Sequence, residues 1–183
     1  GVGEGSTPLL KVFFDSLEIS ESEWMPECNA TYKNGISFNN WSTVSGYESY
    51  FHPFPCSLDF ATFGLLYKYA ALRRKGFDVL AHPNRFSLMA GLTGKKLAPI
   101  PSENFPFHFQ YGYHFDSVLI GNFLRRRAKE IGVEHIEATV QDVEQNSNGD
   151  IKSLKLNNDQ TLSGDFFIDC SGFAAVLLQK TLK

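Results

Sequence analysis

Three cysteines in 183 residues, Cys28, Cys56 and Cys170, are odd in number and widely separated. This argues against a disulfide framework and suits a reducing compartment, so the cytoplasm is the expected location. No CxxC pair occurs, and none of the histidines (His52, His82, His108, His114, His135) has a partner at metal-site spacing, so no metal is expected. No apolar run nears the roughly 18 residues of a membrane span, and no basic segment precedes an apolar core at the start, so no membrane role is expected. Charge of one sign is also lacking: 17 basic residues face 20 acidic ones, and no basic run is longer than Arg125, Arg126, Arg127. Nucleic acid is therefore a poor candidate partner. Ser171 precedes Gly172 without the glycine bracket of a hydrolase nucleophile, which removes support for that chemistry.

What is present is a substantial core. Hydrophobic residues make up 43% and aromatics 14% of the chain, enough for one domain or a piece of a larger one. Residues 7–17 read as a helix capped by Thr7, with Pro8 in its first turn and Leu9, Leu10, Phe13, Phe14 and Leu17 on one apolar face. Ser20 and Glu23 form a capping-box pattern for a short helix through Trp24 and Met25. Residues 42–55 read as an irregular aromatic loop, of the kind that lines pockets for flat ligands or folds onto a core. A helix over 59–75 carries Phe60, Phe63, Leu66 and Ala70 and stops at Gly76. A short helix over 83–92 and a proline-rich connection over 99–106 follow. The spacing predicts a helix over 116–131 with Val118, Leu119, Phe123 and Leu124 facing inward. Strands are expected over 135–143, 151–156 and 166–170, the first two joined at Asn148-Gly149, before a terminal helix.

The stretch ECNATYKNGISFNNW, residues 27–41, centres on Lys33. Strand alternation from Gly35 places Ile36, Phe38 and Asn40 on one face and Gly35, Ser37 and Asn39 on the other, which Lys33 shares. The small residues beside the ammonium leave room for a reactant. The opening GVGEGS is not GxGxxG, because its sixth residue is Ser6, and no strand precedes it. That leads to the expectation of a chain cut from a longer one. Helix, hairpin and then an apolar strand ending in Asp169 and Gly172 is the order expected in the later part of a flavin domain with two dinucleotide-fold halves.

GVGEGS at 1–6, TPLLKVFFDSL at 7–17, SEWMPECNATYK at 22–33, HPF at 52–54, GYHFDS at 112–117 and FFIDCSGF at 166–173 together resemble the flavin-dependent tryptophan halogenases, in the family's order along the whole chain. The resemblance implies a mixed α/β (α+β) fold similar to the FAD-binding flavin monooxygenases, incomplete at both ends, with residues 1–183 a single piece of the halogenase domain. It further implies FAD, used as FADH2 supplied by a separate flavin reductase, and a halide ion. In such enzymes oxygen activated on the flavin oxidises chloride or bromide to hypohalous acid, which crosses a tunnel to a small electron-rich aromatic such as an indole. By the same resemblance Lys33 matches the essential lysine that hydrogen-bonds hypohalous acid or forms a haloamine with it. An ammonium makes the halogen more electrophilic, and burial can release a nucleophilic amine. His52 and Phe54 match positions that pack on the substrate ring. Val2, Glu4, Gly5 and Ser6 match the strap between flavin and substrate sites, and Val140 falls in the strand on the adenine side of FAD.

The family's GxGxxG and WxWxIP motifs do not occur within 1–183, and no residue here takes the job of its catalytic glutamate. The piece alone is expected to be inactive. Asn34 and Ser37 stand where many tryptophan-specific members have apolar and basic residues, which puts tryptophan as the substrate in doubt. An aromatic hydroxylase of the same fold, or a flavin-fold binding module without turnover, are the alternatives at this stage.

Overall fold

In the computed structural model, which describes residues 3–179, 181 and 182, the chain divides after Ile131 into two units. The break falls where Gly132, at φ +91°, ends a helix in the left-handed conformation that glycine adopts without a Cβ penalty. The architecture is mixed α/β.

The first unit runs β1 (Gly3–Gly5), α1 (Leu9–Ser16), α2 (Glu21–Glu27), β2 (Thr31–Lys33), β3 (Gly35–Phe38), β4 (Tyr50–Pro53), α3 (Ser57–Arg74), a 3-10 turn (Pro83–Phe86), α4 (Leu88–Gly94), β5 (Gly112–Asp116) and α5 (Ser117–Glu130). Strand β5 lies between β1 and β2 and is antiparallel to both, while β3 and β4 form a separate two-stranded ribbon. Its GYHFD sequence alternates bare or polar with aromatic positions, and that pleat gives the sheet two different faces. Tyr113 turns to the core with Phe14, Trp24, Ile120 and Phe123. Phe14 stacks on Trp24 at 4.4 Å between centroids, and Trp24 meets Tyr113 edge to face at 4.8 Å. Both geometries are favourable for the aromatic quadrupoles, and each buried ring contributes roughly 2–3 kcal/mol by burial.

The same face carries a polar cluster. Glu21 accepts hydrogen bonds from the hydroxyls of Tyr32 (3.0 Å), Tyr111 (2.8 Å) and Tyr113 (2.6 Å). Burial, then the bond to the Glu21 carboxylate and its charge, push the Tyr32 hydroxyl up to about 12 and raise Tyr111 and Tyr113 further. A phenol surrounded in this way resists becoming an anion.

Several expected local features differ. Helix α1 begins one residue later than Thr7 could cap, and neither its N-cap residue Pro8 nor Ser20 of α2 makes a side-chain capping bond; the Ser20 hydroxyl pairs with Ser22 instead. Of the apolar face expected on α1, Phe14 enters the core while Leu9 is 74% exposed and Phe13 and Leu17 are also exposed. On α5 the buried residues are Ile120 and Phe123, three apart on one side, and Val118 points out. Asp116 caps that helix by accepting from the Val118 and Leu119 N–H groups, which hold its carboxyl below the usual range. Strand β4 lies inside the stretch expected to be irregular. The buried Asp59 accepts from Cys56 N–H at the start of α3 (2.9 Å) and from Leu88 N–H at the start of α4 (2.6 Å), tying the two helices together.

The second unit is an antiparallel meander of β6 (Val140–Gln145), β7 (Ile151–Leu156) and β8 (Thr161–Ser163), with Gly149 at φ +89° in the first turn. Strand β8 was not anticipated, and the strand expected over 166–170 does not form. Phe166 and Ile168 are 82% and 76% exposed, and no strand among the described residues pairs with this segment; an apolar run needs such a partner to become a strand. The expected terminal helix is reduced to a 3-10 turn at Gly172–Ala174. Asp169 instead organises the chain after it, accepting from Ser171 N–H and Oγ–H and from the Leu177 and Leu178 N–H groups. The Ser171 bonds chiefly lower its carboxyl to about 2.

Replacing Trp24 by Ala removes the ring between Phe14 and Tyr113 and is expected to cost about 3–5 kcal/mol in chemical denaturation. The tyrosine cluster sets an alkaline limit. Because Tyr32 loses its proton near 10 when unfolded and near 12 when folded, its contribution is complete below about pH 10 and is lost as pH rises toward 12. Alkaline unfolding followed by circular dichroism should therefore steepen over that window, and less so in Tyr32→Phe.

Candidate functional site

Lys33 ends β2 directly opposite Gly112 on β5, and Thr31 and Gly5 both pair with His114. Lys33, His114 and Gly5 thus share the sheet face turned away from the tyrosine cluster. A Cβ on Gly5 would stand 3.1 Å from Lys33 Nζ and 3.3 Å from His114 Nδ1. The ammonium therefore rests against bare backbone, with an imidazole beside it. Its Nζ is also 5.7 Å from the centre of the Phe54 ring, within cation–π reach. The Asn34 carbonyl fixes Phe54 by accepting its N–H at 2.8 Å.

Ser6 fastens β1 in place. Its N–H donates to the Tyr113 carbonyl at 2.8 Å and its hydroxyl accepts from Tyr113 N–H at 3.0 Å. A side chain at Gly112 would meet the Ser6 carbonyl oxygen at 2.5 Å, so the close crossing requires glycine there.

Beside Lys33 opens a cavity of about 710 Å³, bounded among others by Gly35, Ser37, Phe51, Lys96 and His114. Gly35 and Ser37, the small residues expected on the open side, are on its wall, but so is Ile36, which was expected to pack and is exposed, and Asn34 breaks the strand and places Lys33 and Gly35 in different sheets. Gly35 lies flat under β4, where a Cβ would strike the His52 carbonyl and the Phe51 ring. Asn34 Nδ2 donates to Thr93 Oγ1 at 3.1 Å and to the Leu97 carbonyl at 3.4 Å, drawing the end of α4 against the cavity. Asn34 Oδ1 is shielded from solvent and has no donor among the described residues. The wall carries Lys33, Lys96 and His114 but no carboxylate, so it favours an anion or an electron-rich group.

The residues expected to act divide as follows. Lys33, Gly5 and Phe54 come together, with Ser6 one residue beyond Gly5, and Glu4 lies on exposed β1. Phe54, beside Lys33, is not on the wall of this cavity, and His52 is not either. His52 sits on the other face of the ribbon, edge-on to Phe38 (6.3 Å) and Tyr50 (6.4 Å), and the adjacent Phe51 faces the cavity instead. Val140 opens β6 and borders a recess of about 400 Å³ in the second unit that also includes Asp169 and Ser171. Val2 lies outside the described residues. Sequence reasoning missed Phe51, Lys96 and His114; the alternation within GYHFD was the available signal for His114. Among the described residues no cluster of His, Cys, Asp or Glu is arranged to hold a metal ion, and no helix is long and apolar enough to cross a membrane.

Comparison with known proteins gives the family of this chain. The family model for tryptophan halogenases matches residues 1–183. The tryptophan 7-halogenase RebH of Lentzea aerocolonigenes is 33% identical across the whole chain, which spans only 37% of that relative's length. Among solved structures, Xcc4156, a flavin-dependent halogenase from Xanthomonas campestris, superposes with a TM-score of 0.79 at 32% identity, over the whole chain and 36% of its own. A tryptophan halogenase from Shewanella frigidimarina gives 0.80 at 30% identity, over the whole chain and 35% of its own. With a family match over its full length and a fold that agrees, the chain belongs to the tryptophan halogenase family.

Proposed function

We propose that the protein acts as an FADH2-dependent halogenase in which Lys33 passes an oxidised halogen to an aromatic substrate held in the adjacent cavity. The observation that carries this reading is the setting of Lys33: its Nζ lies on the cavity wall against the bare backbone of Gly5, beside His114 and the Phe54 ring. A lysine kept for solubility would point into water, whereas this one faces space large enough for a bicyclic aromatic.

Strap residues 3–6 suit a flat cofactor. β1 is an edge strand, its three residues are exposed, and nothing stands within 4 Å of where a Gly3 side chain would be. A ring system can therefore approach the backbone closely. When bound, the reduced flavin would activate molecular oxygen, the oxidant that turns halide into hypohalous acid. From there the chain's own residues act. As an ammonium, Lys33 donates a proton to the hypohalous oxygen, which leaves as water when the aromatic carbon takes the halogen. As a free amine, it takes the halogen itself, releasing water, and then hands it to the ring and is regenerated. In both routes one ring proton is lost and one C–X bond forms. Phe51 on the wall offers an apolar surface for an aromatic substrate, and the positive wall favours halide and electron-rich rings. The flavin would come reduced from a separate reductase in the cytoplasm, where the three free cysteines are at home.

The full-length protein, incubated with flavin reductase, FAD, NADH, bromide and a panel of indoles and phenols, should give brominated products by mass spectrometry. Lys33→Ala should lose essentially all product while flavin oxidation continues. Full brominated product yield from that variant would refute halogen delivery by Lys33, and hydroxylated in place of brominated product from the wild type would favour a hydroxylase-like use of the flavin. Gly5→Val, whose Cβ alone would press on Lys33 Nζ and His114, should retain the fold and reduce product formation on the order of 10- to 100-fold.

A further inference from the structure

Among the described residues the Lys33 ammonium makes no hydrogen bond and no ion pair; its one charged contact is with the Phe54 ring. Its location is therefore set by the backbone beneath it. That backbone is short: β2 has three residues and is paired with β5 alone. A three-residue strand on one partner frays readily, yet the reading of Lys33 as halogen carrier needs its nitrogen held to a fraction of an ångström.

The constraint comes from the other side of the sheet. Tyr32 immediately precedes Lys33, and Tyr111 and Tyr113 stand on either side of Gly112, the residue paired with Lys33. All three hydroxyls converge on the one carboxylate of Glu21 at 2.6–3.0 Å, with Lys11 Nζ further out at 4.0 Å. Hydrogen bonds to a charged acceptor are stronger and shorter than neutral ones. Tyr32 and Tyr113 are opposite one another in the ladder, so any slip of β2 against β5 separates their hydroxyls and breaks the shared acceptor. Glu21 stands at the first position of α2, whose Trp24 is fully buried against Tyr113, so the clamp is anchored in the core.

We infer that Glu21 is the positioning residue for Lys33: by gathering the phenols of Tyr32, Tyr111 and Tyr113 it locks the Lys33–Gly112 pair in register and so fixes the ammonium over the cavity. The inference rests on the assignment of halogen delivery to Lys33, and its test separates the two. Glu21→Gln keeps the size of the side chain and removes the charge that all three hydroxyls share. Tyr32→Phe and Tyr113→Phe remove one hydroxyl each and leave the rings in the core.

The experiment uses the full-length protein with FAD, NADH, reductase, bromide and an aromatic that the wild type halogenates, in the presence of a 1,3-diketone that traps free hypobromous acid. The rate of Lys33 acetylation is measured in parallel by mass spectrometry. With Glu21→Gln, kcat for the aromatic should fall on the order of 10- to 100-fold with KM little changed, and bromine recovered on the trap should rise, because oxidant is made but not retained. A role in stability alone would instead lower both yields together, in step with the folded fraction seen by circular dichroism, and would overturn the inference. An unchanged partition between substrate and trap, with unchanged Lys33 acetylation, also overturns it. If Glu21→Gln does not fold, the two Tyr→Phe variants decide by the same partition. Should the wild type halogenate nothing while Glu21→Gln still alters Lys33 acetylation, halogen delivery fails and the positioning role stands.

Discussion

The pleat of β5 is the constraint on which the rest of the first unit depends. Successive side chains must point to opposite sides of the sheet, so the same five residues build a dry aromatic core through Tyr113 and the face toward the cavity through Gly112 and His114. Neither face can shift without the other. A slip by one residue would send Tyr113 toward the cavity and His114 into the packing around Trp24, where an imidazole would lose the partners a buried polar group needs. The core therefore contributes more than stability: Phe14, Trp24 and Tyr113 hold the register that brings Gly5, Lys33 and His114 to one place.

How far this was legible in the sequence depended on whether a feature is local. The small-residue side of the Lys33 stretch followed from alternation within one segment, and the helix over 116–131 followed from its periodicity and from Gly132. The β5 strand was faint in the sequence, because only the alternation of Tyr113 and Phe115 over five residues marks it and its partners lie about 80 and 110 residues earlier in the chain. The choice between His52 and Phe51 as the residue facing the cavity was equally hidden. It is decided by the pairing of Ile36 with His52 and of Ser37 with Phe51, a register set across two strands. The apolar run at 166–170 failed for the opposite reason. Its composition reads as a buried strand, but composition does not say whether a neighbouring strand is at hand.

The family resemblance and the physical reading supplied different things. Six short blocks in order identify the family and nominate Lys33, which a single lysine on a short strand would never do by itself. Position by position, however, the blocks say nothing about contacts. That the Lys33 ammonium lies against Gly5, that Ser6 hydrogen-bonds both ways with Tyr113, and that Glu21 collects three phenols are matters of geometry. Acidic residues are common on helices, and Glu21 stands out only once its partners from β2 and β5 arrive beside it.

Three glycines show how the space around Lys33 is made. At Gly5 a methyl group would crowd Lys33 and His114, at Gly112 it would strike the Ser6 carbonyl, and at Gly35 it would strike the His52 carbonyl. None of the three has a positive φ, so what glycine supplies is space and not backbone freedom, required by backbone clashes at Gly35 and Gly112 and worth a few tenths of an ångström to the side chains beside Gly5. Space created by omitting side chains is costly to rigidity, since glycine loses the most conformational entropy on folding and packs nothing. Such a surface keeps its shape only if something behind it supplies the rigidity. Here the aromatic stack and the Glu21 clamp lie on the reverse of the same strands. The Glu21 cluster thus stiffens from behind the strands whose other face borders the cavity.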